Sequence, residues 1–116
     1  MDKNEFLEAY IFNGLEPIEV AKATEGITYF SESDFGIILE RAEHYGLSVY
    51  TIEARLEAEV FDTLSHDKAK KKATDPKWYT QALVHFKKRQ SGLVYGATYK
   101  VSQKLLDRNN GDAEAL

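Results

Sequence analysis

The chain has 116 residues and no cysteine, and its length fits one domain. Without cysteine it cannot form a disulfide, a thiolate zinc site or an iron–sulfur cluster, and it lacks a cysteine nucleophile. Its formal net charge is −4 and 12% of its residues are aromatic, which is typical of a folded domain rather than a disordered chain.

The first part of the chain predicts three helices and one short strand. Apolar residues recur at helical spacing over residues 3–13, which predicts helix 1. Pro17 suits the first position of a helix and predicts a short helix 2. A β-branched and aromatic run at 27–30 predicts strand 1. One of the two serines that follow is expected to cap helix 3, which the apolar stripe predicts over residues 34–45.

The second part predicts a hairpin, a long helix and a further strand. Alternating residues predict strand 2 over 47–56 and strand 3 over 59–64, although the two residues between them are neither glycine nor asparagine. Asp75 before a proline predicts the start of helix 4. Strand 4 is predicted over 93–101, and a short helix over 102–106.

This order of elements predicts an α+β fold with a four-stranded, mainly antiparallel sheet. After two N-terminal helices the order is βαββαβ, the ferredoxin-like order, and a short C-terminal helix follows. Strand 1 would then be central, strand 2 would lie at an edge, and helices 3 and 4 would cover one face. Because only four residues support strand 1, a three-stranded sheet is the alternative. We expect a single domain over residues 1–108 and a flexible tail over 109–116.

The charge is unevenly distributed along the chain. Residues 1–65 carry 14 acids and 4 bases, a net −10, whereas residues 66–89 carry 2 acids and 8 bases, a net +6. Residues 90–116 carry three of each. This asymmetry predicts either an acidic face opposite a basic one, or a fold that interleaves the two segments so that their fields largely cancel.

No motif for catalysis, metal binding or cofactor binding is present. The histidines, His44, His66 and His85, are not at the spacings that zinc sites use, and the chain has neither a GxGxxG motif nor a P-loop. We therefore nominate no catalytic residue, no cofactor and no metal ligand, and do not expect an enzyme. The acidic N-terminus lacks the basic and apolar regions of a signal peptide, and no segment has the length of a membrane span, so we expect a cytoplasmic protein without membrane contact.

The small size and the acidic first half favour a protein that binds and neutralises a basic partner. Immunity proteins and inhibitors of nucleases or nucleic-acid-binding effectors act in this way, because an acidic surface attracts a basic one and accelerates association. The candidate partner-binding residues are Glu32, Glu40, Glu43, Glu53, Glu57, Glu59 and Asp62.

Two other functions stay open. One is a small-molecule-binding or enzymatic domain on a ferredoxin-like scaffold, although a fold alone supports little about function. The other is nucleic-acid binding through a basic patch around the lysine-rich segment. Because the chain is acidic overall, we do not expect nucleic acid to be its main partner. The candidate basic patch consists of Lys68, Lys70, Lys71, Lys72, Lys87, Lys88 and Arg89.

Overall fold

A computed structural model of the chain describes residues 1–108, so the predicted tail lies outside the described residues. The elements in chain order are α1 (Lys3–Phe6), continued by a π-helical turn (Leu7–Ile11), β1 (Phe30–Ser31), α2 (Glu32–Tyr45), β2 (Ser48–Leu56), β3 (Glu59–Ser65), α3 (Pro76–Arg89), β4 (Val94–Lys100) and α4 (103–108). The α+β class is therefore confirmed. No helix among these residues is long and apolar enough to cross a membrane.

The four strands form one antiparallel sheet in the order β1-β4-β2-β3. The predicted ferredoxin-like order is matched only in part, because β1 lies at an edge and β2 lies inside the sheet. The reason is length: β1 has two residues, whereas β2 has nine and β4 has seven. A two-residue strand cannot supply the ladder of hydrogen bonds that a central strand makes on both sides.

The two long helices begin and end at residues that satisfy their terminal backbone groups. The hydroxyl of Ser31 accepts a hydrogen bond from the backbone N–H of Asp34, and Gly46 ends α2 with φ +66°. The carboxylate of Asp75 accepts from the N–H of Lys77 at 2.9 Å, directly before α3 begins at its proline. The predicted start of α3 is confirmed, whereas α2 begins at Glu32, two residues before its predicted start, with Ser31 as its cap.

The hydrophobic core lies between the sheet and these helices. Helices α2 and α3 pack against each other. Helix α2 also packs on β1 and β4, and α3 packs on β2. The rings of Phe35 on α2 and Tyr95 on β4 stack 5.4 Å apart. The π-helical turn packs beside α2, where the Arg41 guanidinium donates to the carbonyls of Ile11 at 2.9 Å and Asn13 at 2.8 Å.

The prediction of a second helix after Pro17 is wrong. Instead, residues 18–29 form an irregular segment, called the strap below, that crosses part of the sheet face opposite the helices. The N–H of Ile18 bonds the carbonyl of Tyr29 at 2.8 Å, so the ends of the strap pair with each other. Ile27 lies over Gly96, where an added Cβ would stand 2.3 Å from Ile27 Cγ2. Tertiary contacts thus override the weak helical preference of this segment.

The hairpin between β2 and β3 is confirmed, and its turn has an unusual sequence. Glu57 and Ala58 have φ values of +50° and +74°, which is the left-handed conformation that a two-residue hairpin loop requires at both positions. Glycine and asparagine normally occupy these positions, because other residues are strained there.

Candidate functional site

The two charged parts of the chain belong to different elements. Residues 1–45 form the N-terminal helix, the strap, β1 and α2. Helix α2 packs on β1 and β4, whereas the strap crosses the opposite face of the sheet and reaches Glu53 and Arg55 on β2. Residues 59–89 form β3, the lysine-rich loop and α3, and they lie on the β3 side. The first group has ten acids and three bases, a net −7, and the second has four acids and eight bases, a net +4.

The carboxylates of residues 1–45 are mostly exposed and carry no paired cation. Eight of the ten are exposed, and within residues 1–108 none of the ten forms an ion pair. Arg41 forms no ion pair with them, because its guanidinium binds the two carbonyls described above. Glu40 and Glu43 are exposed on α2 because the apolar residues of that helix take the opposite face. This group, called the acidic surface below, consists of Asp2, Glu5, Glu8, Glu16, Glu19, Glu25, Glu40 and Glu43.

The structure distributes the seven predicted acidic residues over several places. Only Glu40 and Glu43 belong to the acidic surface. Glu32 is half-buried at the start of α2 and accepts a hydrogen bond from the hydroxyl of Tyr95 at 3.3 Å. Glu57 and Glu59 are exposed, but they lie at the β2–β3 turn.

Asp62 is engaged by a base from the predicted basic patch. Its carboxylate accepts a hydrogen bond from the Arg89 guanidinium at 2.6 Å, and that guanidinium also lies 4.8 Å from the centre of the Phe61 ring. The hydrogen bond from Arg89 holds the pKa of Asp62 below its ordinary value. This contact joins the edge strand β3 to the last turn of α3.

Glu53 is buried and is therefore not part of an exposed surface. It is 7% exposed, and its side chain lies on the face of β2 opposite the helices, under the strap. The Arg55 guanidinium forms a close ion pair with its Oε1. The hydroxyl of Tyr29 donates to Oε1 at 2.7 Å, and the hydroxyl of Thr24 donates to Oε2 at 2.8 Å. Burial disfavours the charged form of Glu53, but the hydrogen bonds from Tyr29, Arg55 and Thr24 together outweigh it and lower the pKa.

The Arg55 side chain completes the attachment of the strap. Its Nη1 donates to the carbonyl of Ala58 at 2.9 Å, and its Nη2 lies within hydrogen-bond distance of the Lys22 carbonyl and the Thr24 hydroxyl. The ion pair with Glu53 raises the pKa of Arg55. The pair therefore has a structural role, because it satisfies the polar groups of the strap where they meet the sheet.

The seven predicted basic residues fall into two clusters along the chain. Four lysines lie in the loop before α3, and the other three residues lie in its last turn. The loop runs along the flank of α3, because Lys68 and Lys71 line the same concave site as His85. The charge of Lys68 also adds to the hydrogen bond from Arg89 in lowering the pKa of Asp62. Both clusters remain on the β3 side of the sheet.

Two concave sites are found in the described part of the chain. A cleft of about 430 Å³ lies between α1, the end of the strap and β4, and Asn4, Glu8, Ile27 and Tyr99 are among its lining residues. A smaller groove of about 240 Å³ lies between the lysine-rich loop and α3. Sequence reasoning found neither site, because each is lined by segments that are far apart in the chain.

No family model, no curated protein and no solved structure matches the chain. Within residues 1–108, no group of three His, Asp or Glu side chains is placed to hold a metal ion. The geometry therefore leaves charged surfaces and the two concave sites as the candidates for function.

Proposed function

We propose that this chain is a small acidic protein that binds and neutralises a basic protein partner, as inhibitors and immunity proteins do. The partner class is a nuclease or a nucleic-acid-binding effector, because such proteins expose clustered lysine and arginine. The binding site is the acidic surface of residues 1–45. The observation that carries the proposal is that eight of the ten carboxylates in residues 1–45 are exposed and have no ion-pair partner among residues 1–108.

The electrostatic argument concerns both attraction and orientation. Unpaired carboxylates on the N-terminal helix, the strap and α2 produce a negative potential around them, and the lysine-rich loop and α3 produce a positive one. A basic partner would be attracted to the acidic surface and repelled from the lysine-rich loop. Complementary potentials raise association rates above the neutral range of about 10⁵–10⁶ M⁻¹s⁻¹.

The experiment identifies the partner first and then maps the surface. Affinity capture of the tagged protein from its native cells, at low and at high salt, should recover a basic protein that dissociates as salt rises. Two double charge reversals then test the location: Glu40→Lys with Glu43→Lys on α2, and Glu57→Lys with Glu59→Lys at the hairpin turn. All four positions are exposed, so the two variants are matched in charge.

We expect the α2 variant to lower the association rate about tenfold at low salt and the turn variant to change it little, since mutation of rim charges acts mainly on association. If the turn variant were the weaker binder, the acidic surface would not be the binding site. A partner whose binding did not depend on salt would contradict the electrostatic proposal as a whole.

A second function has one observation in its favour. The cleft of about 430 Å³ falls in the size range of small-molecule sites and has both polar and apolar lining residues. The two carboxylates with lowered pKa, Glu53 and Asp62, do not line it. Screening a small-molecule library by amide chemical shifts tests this function. A compound that shifts Leu7, Ile27 and Tyr99 together would support it, and a library with no such compound would oppose it.

A further inference from the structure

The groove on the β3 side has the size of a pocket for one large side chain. It lies between the loop that follows β3 and the outer flank of α3, and its volume is about 240 Å³. This is below the range of about 300–1,000 Å³ that drug-sized ligands occupy. Its floor is apolar, because Leu64, Trp78 and Ala82 line it.

The floor of the groove is fixed and has its polar group satisfied. Trp78 is 2% exposed, and its indole N–H donates to the carbonyl of Val49 at 3.0 Å. An apolar side chain that enters the groove would therefore contact the indole ring without burying an unpaired N–H donor.

The loop wall of the groove is held by its own hydrogen bonds. The N–H of Lys71 donates to the carbonyl of His66 at 3.1 Å, and the N–H of Ala69 donates to the carbonyl of Ser65 at 3.1 Å. His66 Nδ1 lies 2.9 Å from the carbonyl of Lys71, and because a carbonyl can only accept, Nδ1 carries the proton. Because the loop is already held in place, the entropic cost of ordering it on binding is smaller.

The rim of the groove is positively charged. Lys68 and Lys71 line it and are exposed, and Lys70 and Lys72 lie in the same loop. Among the described residues none of these four lysines forms an ion pair. Of the two acids between β3 and α3, Asp67 lies 3.4 Å from the His66 ring and Asp75 caps α3. An apolar floor inside a cationic rim is complementary to an apolar side chain between carboxylates.

We propose that this groove is a docking site for an acidic peptide segment of another protein, which inserts one large apolar side chain between flanking Asp or Glu residues. The site is independent of the function proposed above, because no residue of the acidic surface lines it and because it requires a partner of opposite charge.

A peptide fits the groove better than single-stranded nucleic acid does. Bases are bound without sequence preference by stacking on exposed aromatic faces. The one aromatic residue that lines the groove besides His85 is Trp78, which is buried. Its ring can contact a side chain that enters the groove, but it is not presented to a base as a flat platform.

The test uses the fluorescence of Trp78, the single tryptophan of the chain. The probes are heptapeptides with blocked ends in which Phe or Leu stands between six Asp residues, and the control peptide has Ser at the centre. Two double variants are compared: Lys68→Glu with Lys71→Glu at the groove, and Lys87→Glu with Lys88→Glu at the other end of α3. All four positions are exposed, and thermal melting checks that both variants are folded.

We expect the Trp78 emission to change and then reach a plateau as the Phe or the Leu peptide is added. The Lys68→Glu, Lys71→Glu variant should bind the peptide at least tenfold more weakly than the parent protein. The Lys87→Glu, Lys88→Glu variant should bind it less than threefold more weakly. The Ser peptide should bind the parent protein at least tenfold more weakly than the better apolar peptide. If neither apolar peptide changed the emission of the parent protein, or if both variants weakened binding equally, the proposal would be overturned.

Two further controls address the other occupants. A single-stranded oligonucleotide that displaced the peptide and bound more tightly at the same salt concentration would identify a polyanion site instead. Sedimentation of the protein alone tests whether a second copy fills the groove. A mass that rises with concentration in the parent protein, but not in the Lys68→Glu, Lys71→Glu variant, would overturn the proposal in favour of self-association.

Discussion

The hydroxyl of Tyr29 donates a hydrogen bond of 2.7 Å to Oε1 of Glu53, and this contact joins the end of the strap to the middle of the sheet. The same carboxylate pairs with Arg55 and accepts from Thr24. The buried carboxylate of Glu53 therefore satisfies two hydroxyl groups of the strap, those of Thr24 and Tyr29, which lie 29 and 24 residues before it in the chain.

Loss of the Glu53 charge is expected to destabilise the fold. Glu53→Gln should lower the free energy of unfolding by about 1–2 kcal/mol, because it weakens the hydrogen bonds that the carboxylate accepts from Tyr29 and Thr24 and removes its ion pair with Arg55. Urea denaturation measures this loss, with Glu59→Gln on the exposed edge strand as the matched control. The control should change stability by less than about 0.5 kcal/mol. Equal effects of the two substitutions would show that the buried ion pair is not needed to hold the strap.

The contribution of Glu53 should also depend on pH. Its pKa is lowered in the folded state from an ordinary value of 4.5, so the unfolded chain binds its proton first as pH falls. The stabilisation is therefore fully present above pH 4.5 and is lost as pH falls through the folded pKa. The difference in unfolding free energy between the parent protein and Glu53→Gln should be constant from pH 7 to about pH 5.5 and shrink below 4.5. A difference that grew on acidification would contradict this assignment.

The close contact between the strap and β4 predicts opposite effects at two glycines. Gly96→Ala should destabilise the protein by about 1–3 kcal/mol, because the added Cβ would overlap Ile27 and approach the carbonyl of Thr28 at 3.0 Å. Gly36→Ala should stabilise it by up to about 1 kcal/mol, because Gly36 lies in α2 with open space around it. Thermal melting of both variants checks the pair. Stabilisation by Gly96→Ala would mean that the strap does not pack on β4.

The hairpin turn offers a substitution that should stabilise the protein. Ala58 has φ +74°, so Ala58→Gly should raise the free energy of unfolding by about 1 kcal/mol by relieving the left-handed strain. Ala69→Gly is the control, because Ala69 is exposed and is not among the residues with positive φ. That change should lower stability slightly through the added freedom of the unfolded chain. Chemical denaturation of both variants separates these outcomes, and a loss of stability in Ala58→Gly would argue against the turn geometry.

The predictable part of the fold was the part with local causes. The caps at Ser31 and Asp75 and the left-handed Gly46 act within one helical turn, so α2 and α3 could be located from the sequence. The alternation of β2 and β4 was visible for the same reason. The order of the strands could not be predicted, because it depends on how many residues of β1 pair with a neighbouring strand after the helices have packed.

The candidate sites were predictable to a smaller extent. The uneven charge was visible in the sequence, and Glu40 and Glu43 could be placed on an exposed helix face by their spacing. The burial of Glu53 was not visible, because alternation assigns a residue to a face of the sheet but does not show that a distant segment covers that face. The groove beside α3 was missed because its floor and rim come from β3, a loop and a helix that meet only in the folded chain.

The α+β class, the start of α3, the hairpin and the uneven charge could be read from the sequence, since each depends on residues that are close together in the chain. The edge position of β1 and the path of the strap across the face opposite the helices could not, because they arise only when the chain folds. The physical reason is that these features depend on contacts between distant segments, such as Thr24 with Glu53 or Arg89 with Asp62, and such contacts are chosen by the packing of the whole chain.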